Sequence, residues 1–375
     1  MYKLIMNLLL SLTEQCNLRC SYCYYKESQV DRKNVMSDEI LKASLRAAFD
    51  RAIELKQNSL NITFFGGEPL LRLPSIKKCV KLAKKTVKER HEELAEDFQL
   101  KFFINTNGTL FTQSILDYIK KERIQIYLSL DGPERKHNIS RKKVDGTGSF
   151  QDIAQWIPEL VKMDVLVMSV ITRKHVRGLS RSIKWIIDQG FCNVATAVDF
   201  DGKWTGEDMA ALSIEYEKLA LLWDKYQRNG QDVYLSTIQD KISYKLLDKR
   251  QRHSNCFIFK GAIGVATNGN VFPCSRFITS KEDAKYILGN VLDKSNKIFT
   301  GFVAKDLCRF LKYDKPECKN CLIRYRCTAH ECGCTSFYTT GSIYGVSPEV
   351  CAHERMLTSI CDEILAKRQA SGNLF

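Results

Sequence analysis

The segment Cys16-Asn-Leu-Arg-Cys20-Ser-Tyr-Cys23 places three cysteines within eight residues, directly after an apolar run. Three thiolates at this CxxxCxxC spacing can ligate three corners of a four-iron cubane from one tight loop. The fourth iron would then lack a protein ligand and keep an open coordination position, as a catalytic zinc ion does. Chance spacing and a three-cysteine zinc site that lacks its histidine are the alternatives. The spacing therefore predicts an iron–sulfur cluster that is open to a further ligand.

Cysteine usage along the rest of the chain supports this prediction. The 375 residues include 15 cysteines, nine of which lie between Cys256 and Cys351. The apolar run Met1–Leu12 is interpreted as a buried first strand, because it lacks the small-residue cleavage site of a secretion signal. Clustered thiols without such a signal indicate metal or cluster binding in a reducing, cytoplasmic compartment more than a disulfide framework. Three isolated cysteines are predicted to be core residues: Cys79, Cys192 and Cys361.

The composition is that of a globular protein, with 44% hydrophobic and 27% charged residues. No stretch reaches the ~18 uncharged apolar residues of a membrane span. The length favours two or three domains, or one large barrel with an appendage. The formal net charge is +14, and the basic residues concentrate in residues 77–90 and 245–252. We interpret these runs as solvated helix faces; a surface for an acidic partner is the alternative. No nucleic-acid recognition motif is present, so binding of nucleic acid is not expected.

Strand-like and helix-like patterns alternate over the first 200 residues. Predicted strands cover 2–12, 60–65, 100–105, 124–130, 165–172 and 194–200, and predicted helices cover 37–56, 74–93, 113–122, 148–163 and 179–189. Such alternation predicts parallel strands joined by helical crossovers. Six units are too few for an eight-fold barrel, so a partial barrel or an open sheet fits the count.

The second half of the chain is less regular. Helices are predicted over 209–228 and 234–250, and a closing helix over 354–368. Between them, Gly, Asn, Pro and Cys interrupt short runs, and such a segment needs metal or cluster ligation to fold. The expected domains are a barrel over 1–207, a helical bridge over 208–252, a cysteine-rich domain over 253–353 and a C-terminal helix over 354–375.

The CxxxCxxC segment, with the aromatic Tyr22 before its last cysteine, resembles the signature of radical S-adenosylmethionine (SAM) enzymes. The resemblance implies an α/β fold with a partial (β/α)6 TIM-like barrel. It also implies that the open iron of a [4Fe–4S] cluster on Cys16, Cys20 and Cys23 chelates SAM. The reduced cluster of that family cleaves SAM to a 5′-deoxyadenosyl radical, which abstracts hydrogen from the substrate.

Further segments resemble the same family at the ends of successive predicted strands, where barrel active sites lie. In the family, a Gly-Gly-Glu-Pro segment meets the SAM amino group, a serine after the fourth strand contacts the SAM ribose, and an arginine pairs with its carboxylate. By this resemblance, the expected SAM-binding residues are Tyr22, Gly66, Gly67, Glu68, Asn107, Ser129, Asp131 and Arg141.

The later cysteines resemble the SPASM domain of radical SAM enzymes, whose pattern is CX9–15GX4C, then CX2CX5CX3C, then a last cysteine. Cys256, Gly269 and Cys274 match its first part. Cys318, Cys321 and Cys327 match CX2CX5C, but Glu331 stands where the next cysteine is expected. Cys332 is one residue late and Cys334 three residues late, so either is a candidate.

SPASM domains hold two auxiliary [4Fe–4S] clusters. The resemblance implies that the first is ligated by Cys256, Cys274 and either Cys332 or Cys334, with Cys308 as a weaker candidate. The second is implied to be ligated by Cys318, Cys321, Cys327 and Cys351. A zinc ribbon is the alternative for such CX2C pairs.

Three functions are compatible with the sequence. The favoured one is a radical SAM/SPASM peptide maturase that crosslinks or oxidises a side chain of a precursor peptide, supplied with electrons by a flavodoxin- or ferredoxin-type reductant. The second is the anaerobic sulfatase-maturating enzyme, which forms formylglycine. In that family an aspartate that serves as general base follows the second SPASM cysteine, whereas Ser275 follows Cys274 here, and a hydroxyl is a poor base. The third is a non-catalytic iron–sulfur electron-transfer protein or a zinc protein.

Overall fold

The structure is a computed structural model that describes residues 5–23, 25, 31–247, 261–281, 284–294 and 297–371. The strands are β1 (Ile5–Thr13), β2 (Ser59–Gly66), β3 (Gln99–Thr106), β4 (Ile124–Ser129), β5 (Val165–Ile171), β6 (Asn193–Val198), β7 (Tyr234–Leu235), β8 (Ala262–Val265), β9 (Asn270–Phe272) and β10 (Gly289–Asn290). The α-helices are α1 (Asp38–Glu54), α2 (Leu73–Glu89), α3 (Gln113–Glu122), α4 (Glu134–Ser140), α5 (Phe150–Ala154), α6 (Ile157–Leu160), α7 (Leu179–Asp188), α8 (Gly206–Arg228), α9 (Ser236–Leu246), α10 (Phe302–Phe310), α11 (Thr328–Glu331), α12 (Gly333–Thr340) and α13 (Pro348–Ala370).

The chain divides into two compact units that each combine distant segments. The first unit comprises Met1–Arg19, Cys23–Leu128 and Phe257–Lys312. The second comprises Cys20–Tyr22, Ser129–Cys256 and Tyr313–Phe375. The boundaries predicted at residues 207, 252 and 353 follow chain order and stay a prediction.

The first unit is built on strands in the order β10-β9-β8-β1-β2-β3-β4. Neighbours from β8 to β4 run parallel, and β9 and β10 add an antiparallel edge. Side chains alternate along β1 and β2, so that Leu8, Leu10, Ile62 and Phe64 are fully buried. This alternation buries one apolar face of the sheet and sets the strand register.

The second unit contains the parallel strands β5, β6 and β7 together with helices from both halves of the chain. Helix α13 packs on α8 and α9, and Tyr216 and Trp223 of α8 are buried. A capping box, in which Thr205 and Asp208 bond each other's backbone, starts α8. The helices at 209–228 and 234–250 that the sequence predicts therefore belong to this unit, although residues 248–250 lie outside the described residues.

The predicted α/β class and the six-fold strand–helix order are confirmed, and the differences from the sequence-based elements have local causes. The helix predicted over 148–163 is two short helices, because Pro158 lacks the N–H and the space to continue a helix. The last helix begins at Pro348 instead of 354, since Ser347 caps it by accepting a hydrogen bond from the N–H of Val350. Tyr234 and Leu235 form β7 and are not helical.

Strand β8 was not expected from the sequence. Its four residues pair in parallel with Asn7–Leu10 of β1, more than 250 positions earlier in the chain. Among the described residues, none of the helices combines the length and apolarity needed to cross a membrane.

Candidate cluster and cofactor site

The three cysteines of the CxxxCxxC segment lie in the loop between β1 and α1, and all are partly exposed. The pairing of β1 with β2 continues into this loop. The N–H of Gly67 donates to the carbonyl of Thr13 at 2.7 Å, and the N–H of Glu68 donates to the carbonyl of Gln15 at 2.9 Å. The backbone directly before Cys16 is therefore held by the Gly-Gly-Glu segment.

The two glycines of this segment allow the close backbone approach. A Cβ atom on Gly67 would lie 2.2 Å from the carbonyl oxygen of Gln15, and one on Gly66 would lie 2.2 Å from that of Thr13. Gly66 also has φ = 129°, a conformation that other residues rarely adopt. Any side chain at these positions would push the cysteine loop away from β2.

Glu68 uses its carboxylate within the protein. Oε1 accepts hydrogen bonds from the N–H of Leu70 at 3.0 Å and the hydroxyl of Thr106 at 2.8 Å, and Oε2 accepts from the N–H of Asn107 at 2.8 Å. The side chain is only 1% exposed, and burial raises its pKa to about 7 against the effect of these bonds. Glu68 thus ties the ends of β2 and β3 together, and a role toward the SAM ammonium stays a prediction.

Asn107 connects the end of β3 to the cysteine loop. Its Nδ2 donates to Oδ1 of Asn17 at 3.0 Å and lies 3.9 Å from Sγ of Cys16, while its Oδ1 accepts from Thr109. Asn17 in turn donates to Thr109 Oγ1 at 2.7 Å. Asn17 was not singled out by the sequence, although it lies inside the CxxxCxxC segment.

In the second unit, Asp131 and Arg141 form a buried ion pair that includes Tyr22. Oδ2 of Asp131 accepts from the Tyr22 hydroxyl at 2.7 Å and from Arg141 Nε at 2.9 Å, and Oδ1 accepts from Arg141 Nη2 at 3.2 Å. The Arg141 guanidinium also lies over the Tyr22 ring. Burial by itself would raise the pKa of Asp131, but the Arg141 charge outweighs it and keeps that pKa below its usual value.

This pairing bears on the role expected for Arg141. Asp131 uses Nε–H and one N–H of Nη2, which leaves the two N–H groups of Nη1 and the second N–H of Nη2 for a SAM carboxylate. Pairing with SAM stays a prediction. Ser129, the last residue of β4, is partly exposed, and its contact with the SAM ribose also stays a prediction.

Helix α4 adds positioning residues that sequence reasoning missed. The N–H and hydroxyl of Ser21 donate to the carbonyl and hydroxyl of Ser140, each at 3.0 Å. His137 lies between the N–H of Asp131 and the hydroxyl of Ser149, and burial lowers its pKa to about 3, which keeps it neutral. The sequence analysis assigned no role to His137, which lies four residues before Arg141.

Four later cysteines, Cys318, Cys321, Cys327 and Cys351, belong to the second unit. Burial raises the pKa of Cys318, the charge of Lys315 opposes this, and the neighbouring Cys321 and Cys351 raise it further. Arg355, one turn after Cys351 on α13, is hydrogen-bonded to the Cys351 sulfur. A set of thiol donors with cations beside it fits a thiolate-ligated cluster, which carries negative charge.

The segment that follows Cys327 is anchored by a buried carboxylate. Oε2 of Glu354 accepts from the N–H of Thr328 at 2.7 Å and from Nζ of Lys241 at 2.6 Å, and Lys241 also donates to the carbonyl of Arg326. Burial would raise the pKa of Glu354, but hydrogen bonding from His353 and the charge of Lys241 lower it to about 2. Glu354 therefore fixes the Cys327 loop on α9 and α13.

The ligands of the first auxiliary cluster stay a prediction. Cys256 lies outside the described residues, Cys274 is partly exposed after β9, and Cys308 is exposed on α10. The sulfur atoms of Cys332 and Cys334 are 3.2 Å apart, and Cys332 caps α12 by accepting from the N–H of Thr335. Over the described ranges, no three His, Cys, Asp or Glu side chains converge as ligands of a single metal ion.

The remaining expectations concern basic and isolated residues. Lys78 pairs with Asp38, Lys84 with Glu122 and Lys85 with Glu89, which is consistent with a solvated face of α2. Cys79 and Cys361 are buried as expected. The prediction for Cys192 is wrong: its side chain is exposed directly before β6, although its carbonyl accepts a hydrogen bond from the N–H of Tyr234 in β7.

We expect Gly67→Ala to reduce the iron and sulfide bound after anaerobic reconstitution, because the added Cβ would clash with the Gln15 carbonyl and displace Cys16. Gly206→Ala is the matched control, since a Cβ there meets nothing within 4 Å. Iron and sulfide analysis of both variants measures the effect. A Gly67→Ala protein with wild-type iron content would contradict the proposed need for this close approach.

We expect Asp131→Ala to lower the free energy of unfolding by about 3–5 kcal/mol, because it leaves the buried Arg141 charge without its carboxylate. The double variant Asp131→Ala/Arg141→Met removes both charges and should recover part of this loss. Denaturant unfolding of the two proteins measures the difference. If the double variant is at least as unstable as Asp131→Ala alone, the pair is not the cause.

Comparison with known proteins supports the same domains. Residues 10–175 match the family model of the radical SAM superfamily, and residues 256–322 match that of SPASM, an iron–sulfur cluster-binding domain. The chain is 25% identical over 324 residues to the cysteine-type anaerobic sulfatase-maturating enzyme of Clostridium perfringens, which covers 82% of this chain and 83% of the relative.

Two solved structures share the fold. Native anSMEcpe with bound AdoMet matches with a TM-score of 0.78 at 21% identity, over 98% of this chain and 99% of its own. Streptococcus suis SuiB bound to precursor peptide SuiA matches with a TM-score of 0.61 at 15% identity, over 93% of this chain and 76% of its own. The predicted barrel followed by a SPASM domain is thereby confirmed.

The expected cofactors, an iron–sulfur cluster and S-adenosylmethionine, are those of the superfamily whose model matches the CxxxCxxC segment. The SPASM match begins at Cys256 and includes Cys274, Cys318 and Cys321. The chain therefore contains a radical SAM domain, matched over residues 10–175, and a SPASM domain, matched over residues 256–322.

Proposed function

We propose that this protein is a radical SAM/SPASM enzyme that oxidises a side chain of a peptide or protein substrate. The observation that carries the proposal is the presence of both domains in a chain that aligns along most of its length with a sulfatase-maturating enzyme. That relative and SuiB, which was solved with a precursor peptide, both support a peptide substrate. Crosslinking of a peptide is the other form of this chemistry.

SAM bound to the first cluster would supply the radical that abstracts hydrogen from the substrate. The chain's own contribution begins at Cys16, because the N–H groups of Gly67 and Glu68 hold the backbone directly before it. The backbone of the Gly66-Gly67-Glu68 segment would meet the SAM amino group. The Glu68 carboxylate would hold this backbone in position through its hydrogen bonds to Thr106 and Asn107. Tyr22, Asn107, Ser129, Asp131 and Arg141 complete the proposed SAM-binding residues.

We further propose that Cys318, Cys321, Cys327 and Cys351 ligate one auxiliary cluster, and that Cys256 and Cys274 with Cys332 or Cys334 ligate another. The proposal for the first set is supported by the electrostatic influence of Cys321 and Cys351 on Cys318, and of Cys351, Cys321 and Cys327 on Arg355. Cysteines of this number that ligate clusters need a reducing environment, which favours a cytoplasmic location and a small electron carrier as reductant.

Sulfatase maturation is a second candidate, which the alignment with the Clostridium enzyme favours. The side chain at position 275 opposes it. Ser275 begins a short 3₁₀ turn after β9, and its hydroxyl lies 4.0 Å from Sγ of Cys274. A hydroxyl takes up a proton poorly at neutral pH, so the aspartate chemistry of formylglycine formation would be impaired.

Formation of 5′-deoxyadenosine tests the enzyme class. The anaerobically reconstituted protein, given SAM and a strong reductant, should release 5′-deoxyadenosine, measured by mass spectrometry. A variant with Cys16, Cys20 and Cys23 all changed to Ala should release none, because the SAM-binding iron is lost. If the two proteins release equal amounts of 5′-deoxyadenosine, both with and without a candidate peptide, the assignment of radical SAM chemistry to this cysteine segment is refuted.

Ser275→Asp separates the two candidate substrates. If sulfatase maturation is only impaired by the missing base, the variant should convert a cysteine-containing sulfatase peptide to its aldehyde at least tenfold faster than wild type, as detected with a hydrazide probe. Ser275→Asn, which is similar in size but not basic, is the control. Equal lack of product in all three proteins, with 5′-deoxyadenosine still formed, would exclude this peptide as the substrate.

A further inference from the structure

Lys315 is a buried lysine in the second unit, and its residue is only 1% exposed. Its Nζ donates three hydrogen bonds of 2.8 Å each, to the carbonyl oxygens of Ala329 and Gly345 and to the hydroxyl of Ser336. Three acceptors match the three N–H groups of an ammonium. The geometry is therefore that of a charged lysine held in one position.

Among the described residues, no carboxylate forms a salt bridge with Lys315. Removing an ammonium from water costs several kcal/mol unless a negative group lies nearby. Burial lowers the pKa of Lys315, and the groups that oppose this shift are, in order, Cys318, Cys332, Cys327 and the exposed Glu317. The negative partners available to Lys315 are therefore thiolates.

The contacts of Lys315 also explain why it is fixed. Lys315 precedes Cys318 by three residues, Ala329 follows Cys327 by two, and Ser336 lies in α12 after Cys334. One ammonium thus joins the segments that carry these cysteines, and its position relative to them is set by three hydrogen bonds.

We propose that Lys315 is the built-in counter-charge of the auxiliary cluster ligated by Cys318, Cys321, Cys327 and Cys351, and that it raises the reduction potential of this cluster. The inference rests on the ligand assignment proposed above. Reduction adds one negative charge to a cluster that is already anionic, and a buried cation stabilises the reduced form more strongly than the oxidised form. This stabilisation of the reduced cluster by the Lys315 charge is large, because the low dielectric of the protein interior screens the interaction only weakly.

The test is a redox titration followed by electron paramagnetic resonance. The full chain carries Cys16, Cys20 and Cys23 changed to Ala, so that only auxiliary clusters give a signal. In this background Lys315→Met should lower the potential of one cluster while iron and sulfide stay unchanged. Two controls should leave the potential unaltered: Ser336→Ala removes one hydrogen bond but keeps the charge, and Lys319→Met removes an exposed charge beside Cys318.

The outcomes separate the inference from the assignment on which it rests. An unchanged potential in Lys315→Met, or an equal shift in Ser336→Ala, overturns the counter-charge role. If Lys315→Met loses iron, Lys315→Arg decides: cluster retention with the charge restored supports the role, and loss in both variants assigns Lys315 a purely structural one. A background protein that binds no auxiliary iron overturns the ligand assignment, and the inference with it.

Discussion

The parallel pairing of β1 with β2 determines where the first cysteines lie. The pairing does not stop at the end of the strands: it continues through Gly66, Gly67 and Glu68 against Thr13 and Gln15. Backbones can approach so closely only where no Cβ intervenes, as at Gly67. The loop with Cys16 is thus an extension of the sheet, and the position of Cys16 follows from the geometry of the paired strands.

Buried charges provide the second constraint on the molecule. Asp131 is paired with Arg141, and Glu354 with Lys241, so each of these two carboxylates meets a cation and a backbone donor. Lys315 differs from these pairs, because its hydrogen bonds go to neutral acceptors. The negative charge that balances Lys315 would therefore come from thiolates. Because the same thiolates would ligate the cluster, cluster binding should also affect the stability of this region.

Much of the fold follows from local sequence signals. The strand and helix patterns and the CxxxCxxC spacing each act over fewer than about 20 residues, and these features were predicted. What was missed depends on distant partners. The four residues of β8 carry no pattern of their own and become a strand only by pairing with β1. The role of Lys315 depends likewise on three acceptors 14 to 30 positions away.

In the candidate site, too, the residues could be predicted from local sequence but their distant partners could not. The residues of the Gly-Gly-Glu segment were found from the sequence, but their partners were not, because a motif names residues and not the atoms they contact. Glu68 is engaged by Thr106 and Asn107, and Arg141 by Asp131, so each acts within a network before it meets any ligand. Substrate choice, in contrast, depends on individual side chains, which can differ between proteins that share one fold. A serine at position 275 leaves the fold of a sulfatase-maturating relative intact while changing the proton chemistry available there, which is why likeness of fold alone does not fix the substrate.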